Sequence, residues 1–106
     1  MTEPGLDLHL WESRWQQLED EAADAPVETL PEMDRLIQEM LEQRGFQLDE
    51  PVTAEGDDPE IRTQYEAAHE IARLAEAGEA DPGDVADAID GFRALYEYLI
   101  EDRAAP

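Results

Sequence analysis

The chain has no cysteine, no lysine, no asparagine and a single serine. Without cysteine it can form no disulfide, no thiolate metal site and no cysteine nucleophile. Nucleophilic catalysis needs a hydroxyl, thiol or amine held beside a base, and only Ser13 and four threonines remain to supply one. Ser13 sits between Trp11 and Trp15 with no glycine-rich elbow around it, and reads as a solvent-facing residue. The six glycines are scattered and make no phosphate-cradling pattern. Gly91, alone inside a helical pattern, reads as a point of close helix packing. Long apolar runs are also missing, and the opening "MTEPGLDLHLW" has neither a basic n-region nor an apolar h-region. The expectation is a soluble, cytoplasmic protein.

Positive charge is the largest shortage. Seven arginines face 29 acidic residues, a formal net charge of −22. Duplex binding draws most of its affinity from neutralising phosphates with Lys and Arg, so nucleic acid is excluded as a partner class, and anionic membrane surfaces with it. Two readings of the acidity remain. One is a protein partner with a basic surface, approached by electrostatic steering. The other is halophilic adaptation, in which carboxylates keep a protein hydrated in concentrated salt. The lack of lysine and asparagine points to a genome that avoids A and T in its codons. Carboxylates are so abundant that pairs at any spacing arise by chance, and acid–base pairs cannot be identified from them. The spaced oxygen ligands and mid-loop glycine of an EF-hand are absent.

What is present is helical periodicity. At 106 residues the chain is one domain long and can bury one modest core. High net charge is also a mark of disorder, but apolar residues recur at i, i+3 and i+4 too regularly for that. Leu8, Trp11, Trp15, Leu18 and Ala22 make one stripe. Leu30, Met33, Leu36, Ile37, Met40 and Leu41 make a second, with Thr29 and Pro31 at its start and Gly45 after its end. A third helix opens at "DDPE", with Asp58 before Pro59, buries Ile61, Tyr65, Ala68, Ala72 and Ala75, and stops at Gly78. A fourth opens at "ADPGD", with Asp81 before Pro82, and runs through Val85, Ile89, Phe92, Tyr96, Leu99 and Ile100.

The pattern predicts an all-α fold, a small antiparallel four-helix bundle with helices over about 6–23, 30–44, 59–77 and 82–102. Residues 1–106 form a single helical domain, with an acidic interhelical loop at 46–58 and a short C-terminal tail at 103–106. Phe46 and Leu48 could tack that loop onto the core. The "GEAD" link makes the last two helices an antiparallel hairpin. Trp11, Trp15, Met33 and Met40 read as core.

Histidine is rare, and each of the two has a glutamate three positions away: His9 with Glu12, and His69 with Glu66. The second is Glu-x-x-His, the spacing with which ferritin-like bundles hold iron. Direction argues against it, because His69 is rotated roughly 80° and Glu66 roughly 140° from the inward stripe of the third helix. In the first pair the order is reversed. Both Glu66 and His69 are expected to face solvent in a ladder of side-chain pairs: Arg62 with Glu66, Glu70 with Arg73, and elsewhere Arg35 with Glu39 and Arg93 with Glu97. A subunit docked on that face would turn the Glu-x-x-His inward. Apolar residues off the main stripes, Ala67, Ile71 and Leu74 on the third helix with Leu95 and Tyr98 on the fourth, suggest instead a homodimer through the opposite side, or a central position for these two helices. Uncompensated charge concentrates in "EDEAAD", "DEPVTAEGDDPE" and "EAGEADPGD".

The expectation is a non-catalytic acidic accessory or interaction protein with no cofactor, binding a protein partner with a basic surface, or acidic through halophilic adaptation. The alternative is a ferritin-like metal protein using Glu66 and His69 at a subunit interface.

Overall fold

One residue, Ala25, separates the first two helices. The computed structural model describes residues 4–44 and 59–104, in four helices: α1 (Pro4–Asp24), α2 (Pro26–Gln43), α3 (Pro59–Glu76) and α4 (Pro82–Ala104). The helical hydrogen bonding of α1 persists to Ala25, whose N–H donates to Glu21 O at 2.8 Å. At Ala25 the backbone leaves helical geometry, with φ −138° and ψ 68°, and Pro26 occupies the first position of α2, where its missing N–H costs nothing.

α2 therefore begins four residues before the predicted start. Thr29 and Pro31 lie inside it, and Thr29 Oγ1 donates back to Ala25 O at 2.7 Å. Two prolines stand near this helix start, and Pro26 takes the first helical position, which leaves Pro31 inside the helix. α4 also runs further than expected, to Ala104. Gly45, Asp58 and the acidic loop at 46–58, with Phe46 and Leu48, lie outside the described residues.

The α3–α4 turn follows the sequence closely. Gly78 takes a left-handed φ of 74°, its N–H donates to Ala75 O at 3.1 Å, and the next N–H, of Glu79, reaches Leu74 O at 2.8 Å. These two bonds make a Schellman motif and satisfy the last carbonyls of α3.

The helices form an all-α four-helix bundle. α1 runs antiparallel to α2 and to α4: Arg14 of α1 meets Glu39 of α2, and Glu19 and Trp15 of α1 meet Arg93 and Tyr96 of α4. α2 and α4 are the central pair, each touching all three other helices, while α1 and α3 make no contact among the described residues. Central position thus belongs to α2 with α4, not to α3 with α4.

All predicted core residues with described side chains are buried or packed against the core. Leu30, Met33, Leu36, Ile37 and Leu41 of α2, with Phe92 and Leu95 of α4, are sealed from solvent. Leu95 is therefore core and not part of an external patch. Trp15 stacks on Tyr96, with ring centroids 4.6 Å apart and planes 8° from parallel. Arg93 grips Glu19 in a fork, Nε to Oε2 at 3.1 Å and Nη2 to Oε1 at 2.9 Å. Stack and fork together fix α1 on α4, where its packing is lightest. α3 and α4 approach closely through small residues: a Cβ placed on Gly91 would meet Ala68 Cβ at 3.7 Å.

Candidate functional site

Three features compete for function: a polar cluster between α2 and α3, an acidic end of the bundle, and an apolar groove between α3 and α4.

The cluster begins with Asp34, a carboxylate at an inward-facing edge of the α2 stripe. It is buried, and His69 of α3 stands opposite, its Nδ1 2.7 Å from Asp34 Oδ2. A carboxylate accepts, so the ring donates from Nδ1 and the neutral imidazole leaves Nε2 as its acceptor. Tyr65, one turn before His69, lays its ring against the imidazole at 5.4 Å, with its hydroxyl 3.3 Å from Nδ1. Burial, and then the charge of and a hydrogen bond to Asp34, raise the Tyr65 phenol above its usual range. Asp34 Oδ1 has no hydrogen-bond partner among the described residues.

His69 is therefore not on an outer face. It is half-buried against α2, with 38% of its side chain exposed, and Arg62 on the same side of α3 is buried. Glu66 does face solvent, and it pairs with Arg62 at 3.4 Å. The helical wheel placed His69 correctly relative to its own helix. It could not show that α2 packs on that side and widens the buried arc.

Glu66 and His69 consequently turn to different partners. His69 offers one ring nitrogen, Nε2, to any ligand, and among the described residues no group of three His, Asp or Glu converges to hold a metal ion. His9 is exposed on α1. The Asp34–His69 pair has the orientation of a general base and its orienting carboxylate, but neither residue lines the grooves beside Ile71, Leu18 or Ala22.

Of the predicted ladder, Arg62–Glu66 and Glu70–Arg73 form. Glu39 instead reaches across to Arg14 at 2.9 Å, and Arg93 takes Glu19 and Asp90 in place of Glu97. Contacts with α1 displaced the expected pairs within α2 and α4, while Arg93 keeps an intrahelical partner in Asp90.

The antiparallel alternation sends the α1–α2 corner and the α3–α4 turn to the same end of the molecule. "EDEAAD" and "EAGEADPGD", separated by 52 positions from Asp24 to Glu76, both come to that end. From the first corner this pole exposes Asp20, Glu21, Asp24 and Glu28. From the second it exposes Glu76, Glu79, Asp81 and Asp84. The N-termini of α2 and α4 open at this pole and the C-termini of α1 and α3 close there, so the helix dipoles largely cancel. Arg73, the basic residue in the last turn of α3, is engaged by Glu70. The predicted acidic segment within 46–58 lies outside the described residues.

The groove lies on the other flank of α3. Ala67, Ala68, Ile71, Ala88 and Gly91 line it, with Gln64, Asp84 and Asp87 among them, and its volume is about 350 Å³. Here are two of the apolar residues that fell off the α3 stripe: Ala67 is exposed and Ile71 half-buried. α2 covers the polar flank of α3, and the apolar flank is left open.

Among the described residues, no helix is long and apolar enough to cross a membrane. The chain matches no protein family, no curated protein and no solved structure.

Proposed function

We propose that the protein is a non-catalytic interaction module that binds a basic protein surface through its acidic pole. The observation that carries this reading is the convergence of two acidic corners, distant in sequence, on one end of the bundle. Carboxylates spread evenly would hydrate the protein equally well. Two acidic corners brought to one pole add a local field there, beyond that of the exposed carboxylates on the helix flanks, that would steer a basic partner and orient its approach.

The arginines support the same reading. Arg14, Arg62, Arg73 and Arg93 are each paired with carboxylates of this chain, so little positive charge is left to offset the pole. The Asp34–His69 pair serves the fold in this view, fastening α3 to α2.

The test compares two variants that lose equal charge. Glu21→Gln, Asp24→Asn, Glu28→Gln and Glu79→Gln together neutralise part of the pole. Glu42→Gln, Glu66→Gln, Glu97→Gln and Glu101→Gln neutralise exposed carboxylates away from it. Titrated with polyarginine, the first variant should lose affinity more than the second, and binding by the unaltered protein should weaken steeply as salt rises. Equal losses in the two variants would assign the acidity to the whole surface, as adaptation to the medium requires.

A further inference from the structure

The groove between α3 and α4 has an unusual position in the packing. α3 carries its extra apolar residues on one flank of its stripe, yet α2 covers the other flank, which holds Arg62 and His69. The flank holding Ala67 and Ile71 lines the groove, facing Ala88 and Gly91 of α4. Both walls are helices and their lining residues recur at helical spacing, Ala67 with Ile71 and Ala88 with Gly91. A third helix laid between them would find ridges and grooves of matching period. A compact small molecule fits less well, because the groove is open to solvent and its volume, about 350 Å³, is at the low end for a ligand pocket.

The charge of the rim selects the occupant. Asp84 and Asp87 stand exposed along the α4 side, at the edge of the acidic pole, and make no ion pair among the described residues. A second copy of this chain would bring an identical patch, since a two-fold interface is isologous. It would set those carboxylates against their mates across an interface between two chains of net charge −22 each. An amphipathic helix with arginine or lysine beside its apolar stripe meets the same rim favourably.

We infer that the α3–α4 groove is a docking site for a basic amphipathic helix of a partner protein, seated with its apolar stripe over Ala67, Ile71 and Gly91 and its cations toward Asp84 and Asp87. This rests on the reading that the protein binds a basic partner, and adds where the partner lies and what shape it takes.

The experiment uses two synthetic peptides of identical composition in arginine, leucine and alanine. One has its leucines at helical spacing; the other is scrambled so that no stripe exists. Binding is followed by fluorescence anisotropy, and peptide helicity by circular dichroism. The amphipathic peptide should bind at least about tenfold more tightly than its scrambled isomer, a difference of about 1.4 kcal/mol, and gain helicity on binding. Ala67→Gln is exposed and conserves charge, so it should leave the fold intact, place a polar side chain in the groove and abolish the discrimination. Asp84→Asn with Asp87→Asn should weaken the amphipathic peptide more than the scrambled one.

Equal binding of both peptides would overturn the groove and leave the acidic-pole reading standing. Failure of both to bind would overturn the two together. A concentration-dependent dimer in sedimentation, dissolved by Ala67→Gln, would show that a second copy occupies the groove and overturn the assignment of a basic helix.

Discussion

His69 and Asp34 are 35 residues apart in sequence, yet Nδ1 of one lies 2.7 Å from Oδ2 of the other. This bond joins α3 to α2 at a buried carboxylate, and its removal should be costly in one direction more than the other. His69→Ala leaves Asp34 buried without its imidazole donor and should lower stability by about 1–3 kcal/mol. In the double variant Asp34→Ala, His69→Ala the losses should not add, with a coupling of about 0.5–3 kcal/mol in a denaturant-titration cycle. Additive losses would show that the bond contributes nothing.

The tyrosines predict an alkaline limit to stability. Burial first, and then the charge of Glu12, push the Tyr96 phenol from 10.0 up to about 12, and Tyr65 is raised as well. The folded state thus holds these protons more tightly than the unfolded chain. The Tyr96 contribution is complete below the unfolded value of 10.0 and is lost as pH rises through about 12, and that of Tyr65 is lost in the same direction. Unfolding free energy measured across this interval should fall, and Tyr96→Phe should flatten part of the slope. An unchanged slope would detach Tyr96 from the effect.

Two glycines should respond oppositely to the same change. Gly91→Ala meets Ala68 at an ordinary contact distance of 3.7 Å and removes chain entropy, so it should stabilise by about 0.5–1 kcal/mol. Gly78→Ala forces a side chain into φ 74° and should destabilise by about 1–2 kcal/mol. Thermal melts of the two variants decide, and shifts of the same sign would contradict the geometry.

Trp15 holds α1 on the bundle through its stack with Tyr96. Trp15→Ala should cost about 3–5 kcal/mol, and hydrogen exchange should show α1 losing protection before α2 and α4. Uniform loss of protection would mean that α1 is not the separable element.

A net charge of −22 on 106 residues repels itself. The midpoint of unfolding should therefore climb as salt is added, because screening relieves that repulsion. A midpoint that stays flat or falls would show that local pairing already offsets the charge.

The sequence by itself determined the four helices and their inner faces. The stripes from Trp11 to Leu18, Leu30 to Leu41, Ile61 to Ala75 and Val85 to Leu99 are buried as read, because a 3.6-residue period fixes which side chains share a face whatever lies opposite. The Gly78 stop was equally local. Tertiary structure alone decided how the faces beside those stripes were used. It covered Arg62 and His69 with α2, gave His69 to Asp34, moved Leu95 into the core, redirected Glu39 and Arg93 to α1, and drew two acidic corners onto one pole. A helix's own period carries no information about where its neighbours stand. Asp34 did leave a legible mark, a carboxylate at an inward edge of an apolar stripe, but which residue would meet it depended on the packing of α3 against α2.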